Sequence, residues 1–347
     1  MTTALQMLYA QAMTCPEVFN RRGTAIVKAF AILMMIFYHF YTGAGVSSSA
    51  YSEMRVSDFS RLCVSLAPVG GICIWLFAFV TGYGYCCAAD SEPKNMVRAS
   101  LNRVSRFYPL FVCFCFLFVL LAYFVPYGDK ICRDRVCEFL MTPLGLWRSG
   151  IIDYWYIAVV LLASFVCYPL LLSGKRRGAG AYAAVYLILW FLTFFDIFGL
   201  ISSDFIVKTN LPQAVDTLRF FLFGWAIASM RRENRVLSCF MLLLTIAGFL
   251  PDWTCYIVFV FALLIAFVLQ FLPVKWIWPF LLLGKFSACM WLNHRLIFGY
   301  WFSNAFYRIP TPLNFILVVL ISLAVSFVVM FVWNRIITPV DIRWHRK

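Results

Sequence analysis

Arg21-Arg-Gly-Thr-Ala-Ile-Val-Lys-Ala-Phe-Ala-Ile-Leu-Met-Met-Ile-Phe-Tyr-His-Phe-Tyr41 reads as one membrane-spanning helix with a basic end and a histidine set deep in an apolar run. Its length meets the ~20 apolar residues that cross a hydrocarbon core. Ionisable side chains at membrane depth are costly, so they face a polar interior and mark functional positions. Lys28 and His39 are eleven residues apart, which at about 100° per residue puts them on nearly one stripe, ~16 Å apart along the axis. That gap is too long for Lys28 to orient the His39 ring on a straight helix. The stripe reads as a polar track from the rim to the outer half of the membrane.

Composition sets the class. Of 347 residues, 63% are hydrophobic, 19% aromatic and only 13% charged, with mean hydropathy +0.86. A soluble domain carries roughly 25% charged residues, so this chain is a polytopic membrane protein. The net charge of +14 sits in short clusters between apolar spans, which fits loop topology and anionic headgroups and not a nucleic-acid partner. The thirteen cysteines are scattered without zinc-ligand spacing, so no metal is expected. Cys132 and Cys137 flank a charged loop expected outside, where a disulfide and free thiols both remain open. Residues 1–20 lack a signal peptide's basic start and small-residue cleavage site and are read as a cytoplasmic or interfacial segment.

The expected fold is an all-α integral membrane bundle of about ten spans: 24–43, 62–84, 107–126, 151–173, 181–201, 211–230, 236–251, 254–272, 277–300 and 313–334. The basic clusters, Arg21-Arg22, Lys94 to Arg106, Lys175-Arg-Arg177, Arg231 to Arg235, Lys275 and Arg343 to Lys347, then all fall on one side. Both termini are therefore expected in the cytoplasm. The membrane domain is taken as 21–335 and a basic tail as 336–347.

His39 needs a partner from another helix, because the tautomer of an imidazole is set by its other hydrogen bond. At 1.5 Å per residue His39 lies about 7 Å outward of mid-span, and Asp196, Asp216, Asn293 and His294 fall at a similar depth. Asp216 is the favoured orienting carboxylate; its rival reading is an ion pair with Arg219, one turn away. Ser287 and His294, seven residues apart, share a face of the ninth span, where tying helices together is the competing role. Arg103 and Arg106 stand at i, i+3 at the cytoplasmic mouth of the third span. Guanidinium forks there suit phosphate, or simply enforce topology.

The Lys28-X10-His39 pattern resembles the opening signature of the acyltransferase-3 family of membrane acyltransferases. Further stretches resemble family segments in the same order: Phe79-Val-Thr-Gly-Tyr83, with Thr81 where Ser is more usual; Arg103-Val-Ser-Arg-Phe-Tyr-Pro109; Trp155-Tyr156; and Gly284-Lys-Phe-Ser-Ala-Cys-Met-Trp-Leu-Asn-His294. The family's polar residues after Trp-Tyr are here Ala158-Val159-Val160. The resemblance implies transfer of an acyl group, usually acetyl, from cytoplasmic acyl-CoA to a hydroxyl of a surface glycan or its lipid-linked precursor in the plasma (inner) membrane.

On that reading His39, Asp216 and His294 are the catalytic candidates. Lys28, Arg103 and Arg106 meet the phosphates or pantetheine of the donor, and Trp155, Tyr156, Ser287 and Asn293 line the substrate path. His39 removes the hydroxyl proton as the oxygen attacks the thioester, with Asn293 or His294 as oxyanion donors; an acyl-histidine intermediate is the variant. Two rivals use the same residues differently. A flippase of lipid-linked glycans would run protons along Lys28 and His39. A glycan polymerase would need a large outer loop, and the longest here is about 25 residues, toward the long end of loop lengths.

Overall fold

The computed structural model describes residues 18–42, 58–89, 96–105, 107–114, 156–177, 185, 188, 211–229 and 253–336, and contains no strand among them. Helix α1 is Arg21–Thr42. Helices α2 (Asp58–Leu66) and α3 (Cys73–Ala88) are joined without a break by a 3-10 stretch, Ala67–Ile72, with Pro68 in its first turn. Proline lacks an N–H, which suits it to a helix start. Then come α4 (Met96–Ser105), α5 (Tyr156–Leu162), a π turn (Ala163–Cys167) and α6 (Tyr168–Arg177). The remainder is α7 (Leu211–Ser229), α8 (Trp253–Leu269), α9 (Val274–Arg295), a second π turn (Leu296–Trp301), α10 (Ser303–Arg308) and α11 (Leu313–Ile336).

Three of these helices are long and apolar enough to cross a membrane: Arg21–Thr42, Phe59–Ala88 and Leu313–Arg335, with mean hydropathies of 1.6, 2.2 and 3.1. The chain is thus a helical membrane protein, the one backbone form besides a closed barrel that satisfies every N–H and C=O within lipid. The expected spans at 151–173, 211–230, 254–272 and 277–300 are also helical where described, except for the turn at 270–272. The 236–251 span, nearly all of 181–201, most of 107–126, residues 1–17, the loop with Cys132 and Cys137 and the tail beyond 336 lie outside the described residues.

Helix α1 is the centre. In its apolar window 56% of residues are buried, against 17% for α11, and Ile26, Val27, Ala29, Ala31, Ile32, Ile36 and Phe40 expose nothing. A helix that is apolar all round belongs inside a bundle. It packs on α9, on α3 and its 3-10 lead-in, and on α8 and α11. The outer faces of α8 and α11, including Ile257, Phe261, Val268, Leu320, Phe327 and Phe331, stay exposed, as lipid-facing residues should.

Cross-links fix the directions. Tyr83, near the end of α3, both accepts from Phe19 N–H and donates to Phe19 C=O, each at 2.9 Å. Gln270, just past α8, donates to Val18 C=O at 2.9 Å and accepts from Asn20 N–H at 3.1 Å. Asn20 in turn caps α1 by accepting from the N–H groups of Arg22 and Gly23, which would otherwise be orphan donors. So α3 and α8 run against α1. Helix α9 runs with it: Gly284 lies on Ala25, and His294 lies near His39.

Candidate functional site

His39 and His294 face each other across the α1–α9 contact, ring centres 5.4 Å apart and tilted by 37°. Three glycines explain how such close helix packing arises. Gly284 brings α9 onto α1 so tightly that a Cβ there would lie 2.0 Å from the Ala25 carbonyl oxygen. Gly82 and Gly224 do the same for α3 and α7: a Cβ on Gly82 would meet Phe221 O at 1.8 Å, and one on Gly224 would meet Phe79 O at 2.0 Å. Close backbone approach at small residues is how membrane helices gain contact without a hydrophobic drive between them.

The tautomer of His294 follows from its surroundings. Its Nδ1 is 2.8 Å from Trp291 O and 3.1 Å from Met290 O. Both partners are carbonyls, which only accept, so Nδ1 carries the proton and a neutral His294 presents a lone pair at Nε2. Among the described residues that Nε2 is buried without a hydrogen-bond partner, and so is Nδ1 of His39. Buried polar atoms are nearly always satisfied, and exceptions point to function.

The segments flagged in the sequence converge on the helix that carries His294. The Trp291 ring stacks with Phe107, centres 6.0 Å apart, and meets Tyr156 edge-on at 5.7 Å. The Tyr156 hydroxyl shares a 3.1 Å hydrogen bond with Thr81. A continuous path therefore links Thr81, Tyr156, Trp291, His294 and His39. Toward the end of α3 that holds Phe19, the Arg103 guanidinium lies over the rings of Tyr85 and Tyr168, at 4.8 and 5.5 Å. Tyr85 is fixed in turn by a 2.7 Å bond to Ser164 in the first π turn.

Other expected site residues sit elsewhere. Asp216 is paired with Arg219 on its own helix, and α7 packs mainly on α3 and α5; the orphan Nδ1 of His39 is not held by that carboxylate. Asn293 donates to Ser322 O at 3.2 Å and Ser326 Oγ at 2.8 Å, which occupies both of its N–H bonds in tying α9 to α11 and leaves none for an oxyanion. Ser287 donates to Gly284 O one turn back, at 3.0 Å. Lys28 is half-buried and makes no hydrogen bond or ion pair with the described residues. Arg106, Trp155 and Asp196 lie outside them. Among the described residues no group of three or more His, Cys, Asp or Glu is placed to hold a metal, and the described cysteines are free thiols. Gln270, Tyr85 and Tyr168 escaped the sequence reading, because their partners are distant backbone, a serine on another helix and an arginine.

The family model for the acyltransferase domain of the acyltransferase-3 family matches residues 25–331, most of the chain, and the protein belongs to that family. No curated protein matches it, and no solved structure does.

Proposed function

We propose that this membrane acyltransferase moves an acyl group, acetyl by first expectation, from cytoplasmic acyl-CoA to a hydroxyl of a surface glycan or lipid-linked sugar, with His39 as general base. The observation that carries the reading is the pair of facing imidazoles, His39 and His294, each with a buried nitrogen that no described residue partners, in the interior of a helical membrane domain. An imidazole buried against a second imidazole can have one ring nitrogen held and take the acceptor proton on the other. In the reaction the acceptor oxygen bonds to the thioester carbon while its proton passes to His39. The C–S bond then breaks, and the proton leaves with the thiol of CoA. Lys28, Arg103 and Arg106 supply cationic contacts for the phosphate-rich donor, and Trp155 and Tyr156 line its path. With its bond to Thr81, Tyr156 offers a rigid wall there. The domain sits in the plasma (inner) membrane as about ten spans with both termini cytoplasmic, so that the donor enters from inside and the acceptor from outside.

The test is thioester cleavage by the purified protein in lipid nanodiscs, read as release of free CoA thiol with a glycan acceptor present. The wild type should release thiol in step with acyl appearing on the sugar, and His39→Ala should abolish both while remaining folded. Transport of a lipid-linked glycan with no thiol release would overturn the proposal in favour of a flippase.

A further inference from the structure

The geometry points to His294 as the positioning residue for His39: its Nε2 accepts a hydrogen bond from His39 Nδ1–H, directly or through one water, and so turns the His39 Nε2 lone pair to the acceptor hydroxyl. The catalytic half of this statement rests on His39 being the base; the pairing itself does not.

Three observations carry it. First, His294 Nδ1–H is committed to the carbonyls of Met290 and Trp291, so its Nε2 can only accept. Second, that Nε2 and His39 Nδ1 are both buried without partners among the described residues, on rings 5.4 Å apart. Two imidazoles joined by an ordinary N–H···N bond sit roughly 5 to 6 Å apart, centre to centre. A proton on His39 Nδ1 would satisfy both orphans once a small ring rotation or one water joins them, whereas a proton on His39 Nε2 would leave neither satisfied. Third, the Asp216 carboxylate is engaged by Arg219. His294 thus occupies the place that a carboxylate holds in a Ser-His-Asp array. When His39 takes the hydroxyl proton on Nε2, its Nδ1–H remains bonded to His294. The imidazolium is then stabilised through a ring that two backbone carbonyls already polarise.

The chain has only three histidines, His39, His294 and His345, which makes nitrogen NMR decisive. Full-length protein labelled with 15N-histidine in lipid bilayers should show His39 neutral and protonated at Nδ1, and His294 likewise at Nδ1. In His294→Ala the His39 signal should become a mixture of tautomers. Its kcat should fall by on the order of 100-fold with KM within about threefold, the signature of lost transition-state stabilisation. His294→Gln, whose side-chain oxygen lies close to the position of the imidazole Nε2, should restore the Nδ1–H tautomer and most of kcat. His39 protonated at Nε2 in the wild type overturns the inference, and this measurement needs no variant. An unchanged His39 tautomer in a folded His294→Ala protein overturns it as well. If the tautomers come out as expected and His39→Ala still cleaves the thioester, the pairing stands and the assignment of His39 as base is what fails.

Discussion

Gly82→Ala is the sharpest test of how this bundle is held together. The added methyl would lie 1.8 Å from Phe221 O and 2.7 Å from the carbonyl carbon behind it. Ordinary contact for such atoms is about 3.5 Å, and both are backbone inside a helix, so neither can swing aside. The α3–α7 pair must part by about 1.5 Å at the crossing. Overpacking in well-packed interiors costs about 1–3 kcal/mol, and the rigid obstacle puts this case at the upper end, about 3 kcal/mol. Gly224→Ala, 2.0 Å from Phe79 O, repeats the clash from the other side and should cost about the same. The two glycines share one crossing, so once either substitution has separated the helices the second meets open space. The double variant should then lose about 3 to 4 kcal/mol in place of about 6, a coupling of about 2 to 3 kcal/mol. Unfolding free energies of both single variants and the double variant, by denaturant titration in mixed micelles, give the cycle directly. Single variants within about 0.5 kcal/mol of wild type, or costs that simply add, would refute the shared-crossing argument.

Asp216→Asn tests the orienting carboxylate by its absence. If the carboxylate serves Arg219 alone, thioester cleavage should stay within a few-fold of wild type while stability drops by about 1 kcal/mol, as for a partly exposed ion pair; a loss of activity on the order of 10³-fold would return Asp216 to the site. Tyr83→Phe strips both bonds from the Phe19 backbone and should cost about 2 kcal/mol, seen as faster amide exchange at Phe19 and in the first turn of α1. Asn293→Ala should cost about 1 kcal/mol, since interhelical hydrogen bonds in membranes are individually modest. Thioester cleavage measured beside it should keep its kcat, because both N–H bonds of Asn293 are spent on α11.

What the sequence could show divides along the line between local and distant partners. The Lys28–His39 stripe is legible because both residues ride one apolar helix with a fixed repeat. The Asp216–Arg219 pair is legible as one reading for the same reason, at i, i+3. Depth estimates brought four polar residues to the level of His39 and could go no further, because depth carries no information about which face meets which. His294 is singled out only once Gly284 seats α9 on Ala25 and sets the register between the two helices. Gly82 reads as part of a motif, but its reason is a carbonyl on α7. Gln270 is harder still. It interrupts an apolar run without any pattern, and its partners are backbone atoms about 250 residues away in sequence.

The helix directions bear on topology without any appeal to loop charge. Tyr41, at the end of α1, donates to Asn314 at the start of α11, and Phe286 of α9 packs on Phe327 farther along α11. Since α9 runs with α1, α11 runs against both. The start of α1 and the end of α11 must then lie on one side of the membrane, whatever number of spans connects them. Parallel α1 and α9 add a parity condition: an even number of steps across the bilayer must separate them, which first and ninth spans satisfy. The Arg103 end of the domain shares the side of Phe19 and Gln270, so the guanidinium over Tyr85 and the His39–His294 pair occupy opposite halves of the bundle. Reporter domains fused ahead of α1 and behind α11 should therefore give the same accessibility to a membrane-impermeant protease. Opposite answers would mean that α11 runs parallel to α1, and the Tyr41–Asn314 bond could not form.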